Sequence, residues 1–113
     1  MPYRYKLPAD VISPKDKVSD VKPIFDNGNF HGAFSVAKLK WNNKEVIGIR
    51  WNINEREAYK PDKISGKEIC KGEPNSRSHS TWFILPDDFI LQLISEKKSK
   101  LVSELKKILD QKT

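Results

Sequence analysis

Hydrophobic and polar residues alternate most regularly between Phe30 and Ile53, FHGAFSVAKLKWNNKEVIGIRWNI from residue 30. A period of two marks strands with one buried face. The pattern predicts a β-hairpin over residues 30–53, with strands Phe30–Trp41 and Glu45–Ile53. Two closures compete. A two-residue turn on Asn42-Asn43 pairs Trp41 with Lys44 and Lys38 with Ile47, mixing charged with apolar groups. A three-residue loop, Asn42 to Lys44, pairs Trp41 with Glu45, Leu39 with Ile47 and Ala37 with Ile49. One face then carries Ala37, Leu39, Trp41, Ile47, Ile49, Trp51 and Ile53; the other carries Phe34, Val36, Lys38, Lys40, Val46, Gly48 and Arg50. Clean segregation predicts the three-residue loop, because one face must reach a core.

The flanks read differently. Residues 1–29 hold Pro2, Pro8, Pro14 and Pro23. Proline removes a backbone donor and fixes φ, so this part is predicted as an extended arm with one short edge strand. Residues 54–80 lack periodicity and contain Pro61, Gly66, Gly72 and Pro74, which predicts a long loop with a short strand at Lys67–Lys71. Residues 81–85, TWFIL, form a third strand with both faces covered. Asp87-Asp88 after Pro86 opens a helical segment, 87–110. Its apolar stripe runs through Phe89, Ile90, Leu93 and Ile94, lapses, and resumes from Leu101 to Leu109. It is either one long helix or two that meet near Ser99, an N-cap residue type. The whole, 1–113, is a single α+β domain: a small antiparallel sheet built on the central hairpin, with the C-terminal helical segment packed on one face.

Composition narrows the class. No apolar run reaches the length of a membrane span, the N-terminus has no apolar signal-peptide core, and Cys70 is the only cysteine. These features point to a cytoplasmic protein without a membrane partner. The net charge is +6, and half of it lies in residues 30–53, where Lys38, Lys40, Lys44 and Arg50 face Glu45 alone. A local basic surface attracts polyanions.

The candidate chemistry follows from that charge. Lys38, Lys40 and Arg50 on a sheet face would track phosphates, with Phe34 and, near the hairpin tip, Trp41 stacking on bases and Arg77 assisting. Ser76, Ser78 and His79 sit with Arg77 in PNSRSHSTW, Pro74 to Trp82, a candidate anion loop. An ordinary polar turn accounts for the same residues. His31, Cys70 and His79 show no zinc-like spacing, and no Gly-rich phosphate loop, G-x-S-x-G or H-E-x-x-H is present. No metal site, cofactor or catalytic residue is expected, and an enzyme ranks last. The stripe Leu101–Leu109 serves either the sheet of the same chain or a homodimer contact.

The run KEVIGIRWNI, Lys44 to Ile53, resembles the second strand of the transcriptional positive-cofactor-four family of single-stranded-DNA-binding proteins. FILPDDFILQLI, Phe83 to Ile94, looks like that family's last strand running into its helix. The resemblance implies a dimer through the helix, single-stranded DNA on a curved sheet, and Arg50 as the strand arginine. The segment between Arg50 and Thr81 is longer than the family's. Two functions are therefore expected, in order: a non-enzymatic nucleic-acid-binding module, single-stranded in preference, and a protein–protein interaction or adaptor module for an acidic partner.

Overall fold

A computed structural model describes residues 3–95 and 99–112. In chain order the elements are β1 (Arg4–Tyr5), β2 (Val18–Asp26), β3 (Phe34–Trp41), β4 (Lys44–Trp51), α1 (Pro61–Ile64), β5 (Ile69–Cys70), β6 (Asn75–Ser76), β7 (His79–Ser80), β8 (Phe83–Leu85), α2 (Asp87–Ile94) and α3 (Lys100–Lys112). The fold is α+β. Its centre is an antiparallel four-stranded sheet in the order β2-β3-β4-β8, followed by the two helices. No helix of the described residues is long and apolar enough to cross a membrane.

The hairpin exists, but its register is the one that the hydrophobic pattern argued against. Trp41 pairs with Lys44, Leu39 with Val46, Lys38 with Ile47 and Ser35 with Arg50. The reason lies in the turn. Asn42 and Asn43 both take positive φ, 52° and 67°, as a two-residue hairpin turn matched to strand twist requires. Asparagine is among the few residues besides glycine that visit this region routinely. Choosing this turn flips β4, so that Ile47, Ile49 and Trp51 face away from the core and Val46, Gly48 and Arg50 face into it.

The inner face packs on Val11, Val18, Ala37, Leu39 and Trp82, with Val21, Trp41, Val46 and Ile84 around them. Trp82 donates its indole N–H to the Val11 carbonyl at 2.9 Å, pinning the proline-rich arm over the sheet. Gly48 is required here: a Cβ would sit 2.9 Å from Leu39 and 3.0 Å from Trp82. A second cluster, Ile53, Ala58 and Cys70 with Tyr3 and Tyr5, lies where the parallel pair β1–β5 meets the segment after β4.

The arm is more regular than its prolines suggest. β2 runs nine residues along β3, with bulges between Ser19 and Lys22 and between Pro23 and Phe25. Proline is tolerated because β2 is an edge strand whose outer side needs no donor. The third strand is also corrected. Trp82 is buried, but Phe83 is 54% exposed, so only one face of this strand is covered. At the C-terminus two helices form. Ser99 Oγ accepts the Val102 N–H at 3.1 Å, which makes it an N-cap residue. Neither helix contributes a buried residue.

Candidate nucleic-acid interface

Arg50 sits on the inner face and is only 2% exposed. Its guanidinium donates to the carbonyls of Lys71, Thr81 and, at 3.3 Å, Pro74. The charge has no direct carboxylate partner among the described residues. Burial pulls its pKa down to about 10, opposed by Glu57, so the group stays cationic at neutral pH. Gly72 lets this happen: at φ 69° it passes so close to the Arg50 guanidinium and the Trp51 carbonyl that a Cβ would collide with both. Arg50 is therefore an internal clamp on the loop and not a surface phosphate ligand. The role implied for it by the positive-cofactor-four resemblance does not carry over.

Neighbouring polar groups complete the clamp. Glu57, 5% exposed, accepts the backbone N–H groups of Lys71 at 2.8 Å and Gly72 at 3.0 Å, and pairs with Lys63 at 3.3 Å. Asn54 and Glu57 bond each other reciprocally, side chain to backbone N–H. Asn52 donates to Asp26 and to the Gly28 carbonyl, and accepts from Ser35. Tyr5 donates its hydroxyl to Asp26 at 2.6 Å, and burial followed by that bond raises its pKa to about 12. Residues 54–80 are thus ordered by buried polar bonds, which a hydrophobic pattern does not register.

The outer face has the opposite character. Its rows across β2, β3, β4 and β8 follow from the pairings. Lys40 stands beside Glu45. Next come Lys22, Lys38, Ile47 and Leu85, then Phe25, Val36, Ile49 and Phe83, and last Phe34 with Trp51. Phe25, Trp51 and Phe83 are about half exposed. The rings of Phe25 and Phe34 lie 5.2 Å apart, tilted at 37°. Phe34, Ile49, Trp51 and Phe83, with Arg50 at its wall, line an apolar cavity of about 290 Å³. Rows repeat at about 6.8 Å along a strand, so Lys22 and Lys38 stand roughly 14 Å, and Lys40 roughly 20 Å, from the Trp51 row. Lys38 pairs with Glu45 at 2.9 Å and Lys40 with Asp20 at 3.3 Å, both exposed. The Lys38 hydrogen bond, then its charge, lowers the Glu45 pKa.

Of the expected site residues, the structure brings Lys38, Lys40 and Phe34 together on this face. Trp41 is on the inner side, packed against the core, with Lys17 Nζ 5.9 Å from its ring centroid. Arg77 and Ser78 form the turn of the β6–β7 hairpin, at φ 50° and 69°, and Ser76 and His79 are paired across it. They are not part of the sheet face. Sequence reasoning missed Lys22, Phe25, Trp51 and Phe83. The Asn42-Asn43 turn was the signal that would have placed Trp51 beside Phe34.

Compared with known protein families, with curated proteins and with solved structures, the chain matches none.

Proposed function

We propose that the protein is a non-enzymatic module that binds single-stranded nucleic acid on the outer face of its sheet. One observation carries the reading: three aromatic side chains, Phe34, Trp51 and Phe83, line an open apolar cavity, with Phe25 against Phe34, on a face whose other end holds Lys22, Lys38 and Lys40. Unpaired bases stack on such rings and lysines follow the phosphates, whereas a duplex keeps its bases inside. The ion pairs on Lys38 and Lys40 are exposed and therefore weak, of the order of 0–1 kcal/mol, so a phosphate can displace them.

A second reading, docking of a protein partner, is favoured by the aliphatic share of the same face and by the exposed Leu91, Leu93, Ile94, Ile108 and Leu109 on α2 and α3. One experiment separates the two: fluorescence anisotropy of a labelled single-stranded oligonucleotide and its duplex over a salt series. A Trp51→Ala/Phe83→Ala variant keeps the charge and should bind the single strand at least tenfold more weakly, since stacking contributes about 1–3 kcal/mol per base. A Lys22→Ala/Lys38→Ala/Lys40→Ala variant should flatten the salt dependence. Equal binding by the aromatic variant and the wild type, or none at low salt, would leave the partner reading in place.

A further inference from the structure

Away from the sheet face, a cavity of about 370 Å³ opens between the β1–β5 pair and the β6–β7 hairpin. Backbone pairing builds it. Tyr5 pairs with Cys70 and the Lys6 N–H donates to the Cys70 carbonyl at 3.1 Å, which sets Lys6 beside Lys71. The hairpin then arches over this edge. Ser80 Oγ donates to the Lys71 carbonyl at 2.8 Å, and Lys71 Nζ donates to the Ser78 carbonyl at 3.2 Å. Lys6, Lys71, Ser78 and His79 thus converge on one opening.

The electrostatics of the opening have one sign. No acidic side chain lines it among the described residues. The carbonyl of Lys71 that accepts from Ser80 also accepts from Arg50, so a buried guanidinium, cationic at neutral pH, lies directly behind the wall. The Cys70 thiol, whose pKa burial raises to about 11, is neutral and adds no negative charge. Ammonium, hydroxyl and imidazole N–H groups around a concave, positively backed surface are the donor set that holds a tetrahedral oxyanion.

We propose that this cavity is a phosphate-binding site, with the Lys6 and Lys71 ammonium groups as the charged ligands and Ser78 and His79 as hydrogen-bond donors. The phosphate comes either as the free anion or as the monoester of a nucleotide. The site is separate from the outer sheet face and does not depend on that face binding nucleic acid.

The test is a titration of the whole, isotopically labelled protein with inorganic phosphate, followed by amide chemical shifts, with sodium chloride at matched ionic strength as control. Saturable shifts at Cys70, Lys71, Ser78 and His79 that chloride does not reproduce are the expected result. Lys71→Met, at an exposed position, and Lys6→Met/Lys71→Met should weaken binding about tenfold or more, the effect of losing a charge-assisted bond. Tighter binding of a nucleoside monophosphate than of phosphate, with no binding of the nucleoside, assigns the site to the ester; equal binding of phosphate and ester assigns it to the free anion. Shifts that never saturate, that chloride reproduces, or that persist unchanged in a folded Lys71→Met protein overturn the proposal.

Discussion

The two faces of the central hairpin differ in a way that reverses the usual rule. The inner face buries Ser35 and Arg50 beside Ala37 and Leu39, and the segment behind it buries Asn52 and Glu57. The outer face leaves Phe25, Trp51 and Phe83 half exposed. Buried polar groups are stable when bonded: Arg50 and Glu57 bond the backbone of residues 71–81, and Ser35 and Asn52 bond each other, Asp26 and Gly28, while Arg50 Nε and Thr81 Oγ1 have no partner among the described residues. The difference teaches that the inner side holds a long loop in place through polar bonds, whereas the outer side leaves its aromatic rings open to solvent. Large exposed apolar patches are a common mark of interaction surfaces, the basis of the reading proposed above.

The sharpest way to break this contrast is at Arg50. Arg50→Leu takes the guanidinium donor from the carbonyls of Lys71, Pro74 and Thr81, of which Lys71 and Pro74 keep one other donor each, Ser80 Oγ and the Thr81 N–H. The expected loss is about 3 kcal/mol or more, read by urea denaturation, because buried hydrogen bonds from a charged group are lost, each contributing about 1.5–3 kcal/mol. Arg50→Lys should recover only part of it, since an ammonium lacks the planar fork. A loss within the error of the measurement would show that the loop is held by other means.

The outer face should respond more weakly. Trp51→Ala and Phe83→Ala each remove rings already half in water, so a cost of about 1–2 kcal/mol is expected, below the 3–5 kcal/mol typical of a buried ring. A stability loss at Trp51 as large as that at Arg50 would make Trp51 a packing residue and erase the comparison.

The smallest effect is alkaline. The Cys70 pKa is raised from 9.0 to about 11, first by burial and then by the charge of Glu57. That of Tyr5 is raised from 10.0 to about 12, first by burial and then by its bond to Asp26. A group whose folded pKa exceeds its unfolded value contributes fully below the unfolded value and loses that contribution as pH climbs. The melting temperature should therefore hold to about pH 9 and decline between pH 9 and 12. Tyr5→Phe should soften the upper part of the decline, and Cys70→Ala the lower part. An unchanged slope in both variants would place the alkaline sensitivity elsewhere.

Much of the fold was legible in the chain. Alternation revealed the hairpin, Pro86-Asp87-Asp88 marked the start of α2, and Ser99 marked the start of α3. The faces of β4 were not legible from periodicity. Val46 and Gly48 alternate with Ile47 and Ile49, so both sides of the strand read as apolar, and the turn decided between them. Residues 54–80 carried one readable sign, the Asn54-x-x-Glu57 spacing of a reciprocal cap. The rest of that loop depends on Arg50 meeting carbonyls more than twenty residues away, which no local pattern encodes. Of the candidate site, Lys38, Lys40 and Phe34 were readable because β3 was read with its true faces. Lys22 and Phe25 were hidden by the bulges of β2, which shift its period of two.

Those bulges have a consequence for how many copies of the chain behave in a crowded solution. A protein with an oily sheet face invites fibril growth if a free strand edge can recruit another. Here the free edge of β2 is kinked at two places and broken by Pro23, which offers no N–H. Its opposite, β8, is three residues long. The sheet can leave its aromatic surface exposed while denying a neighbouring molecule the continuous edge on which amyloid-like stacking would begin.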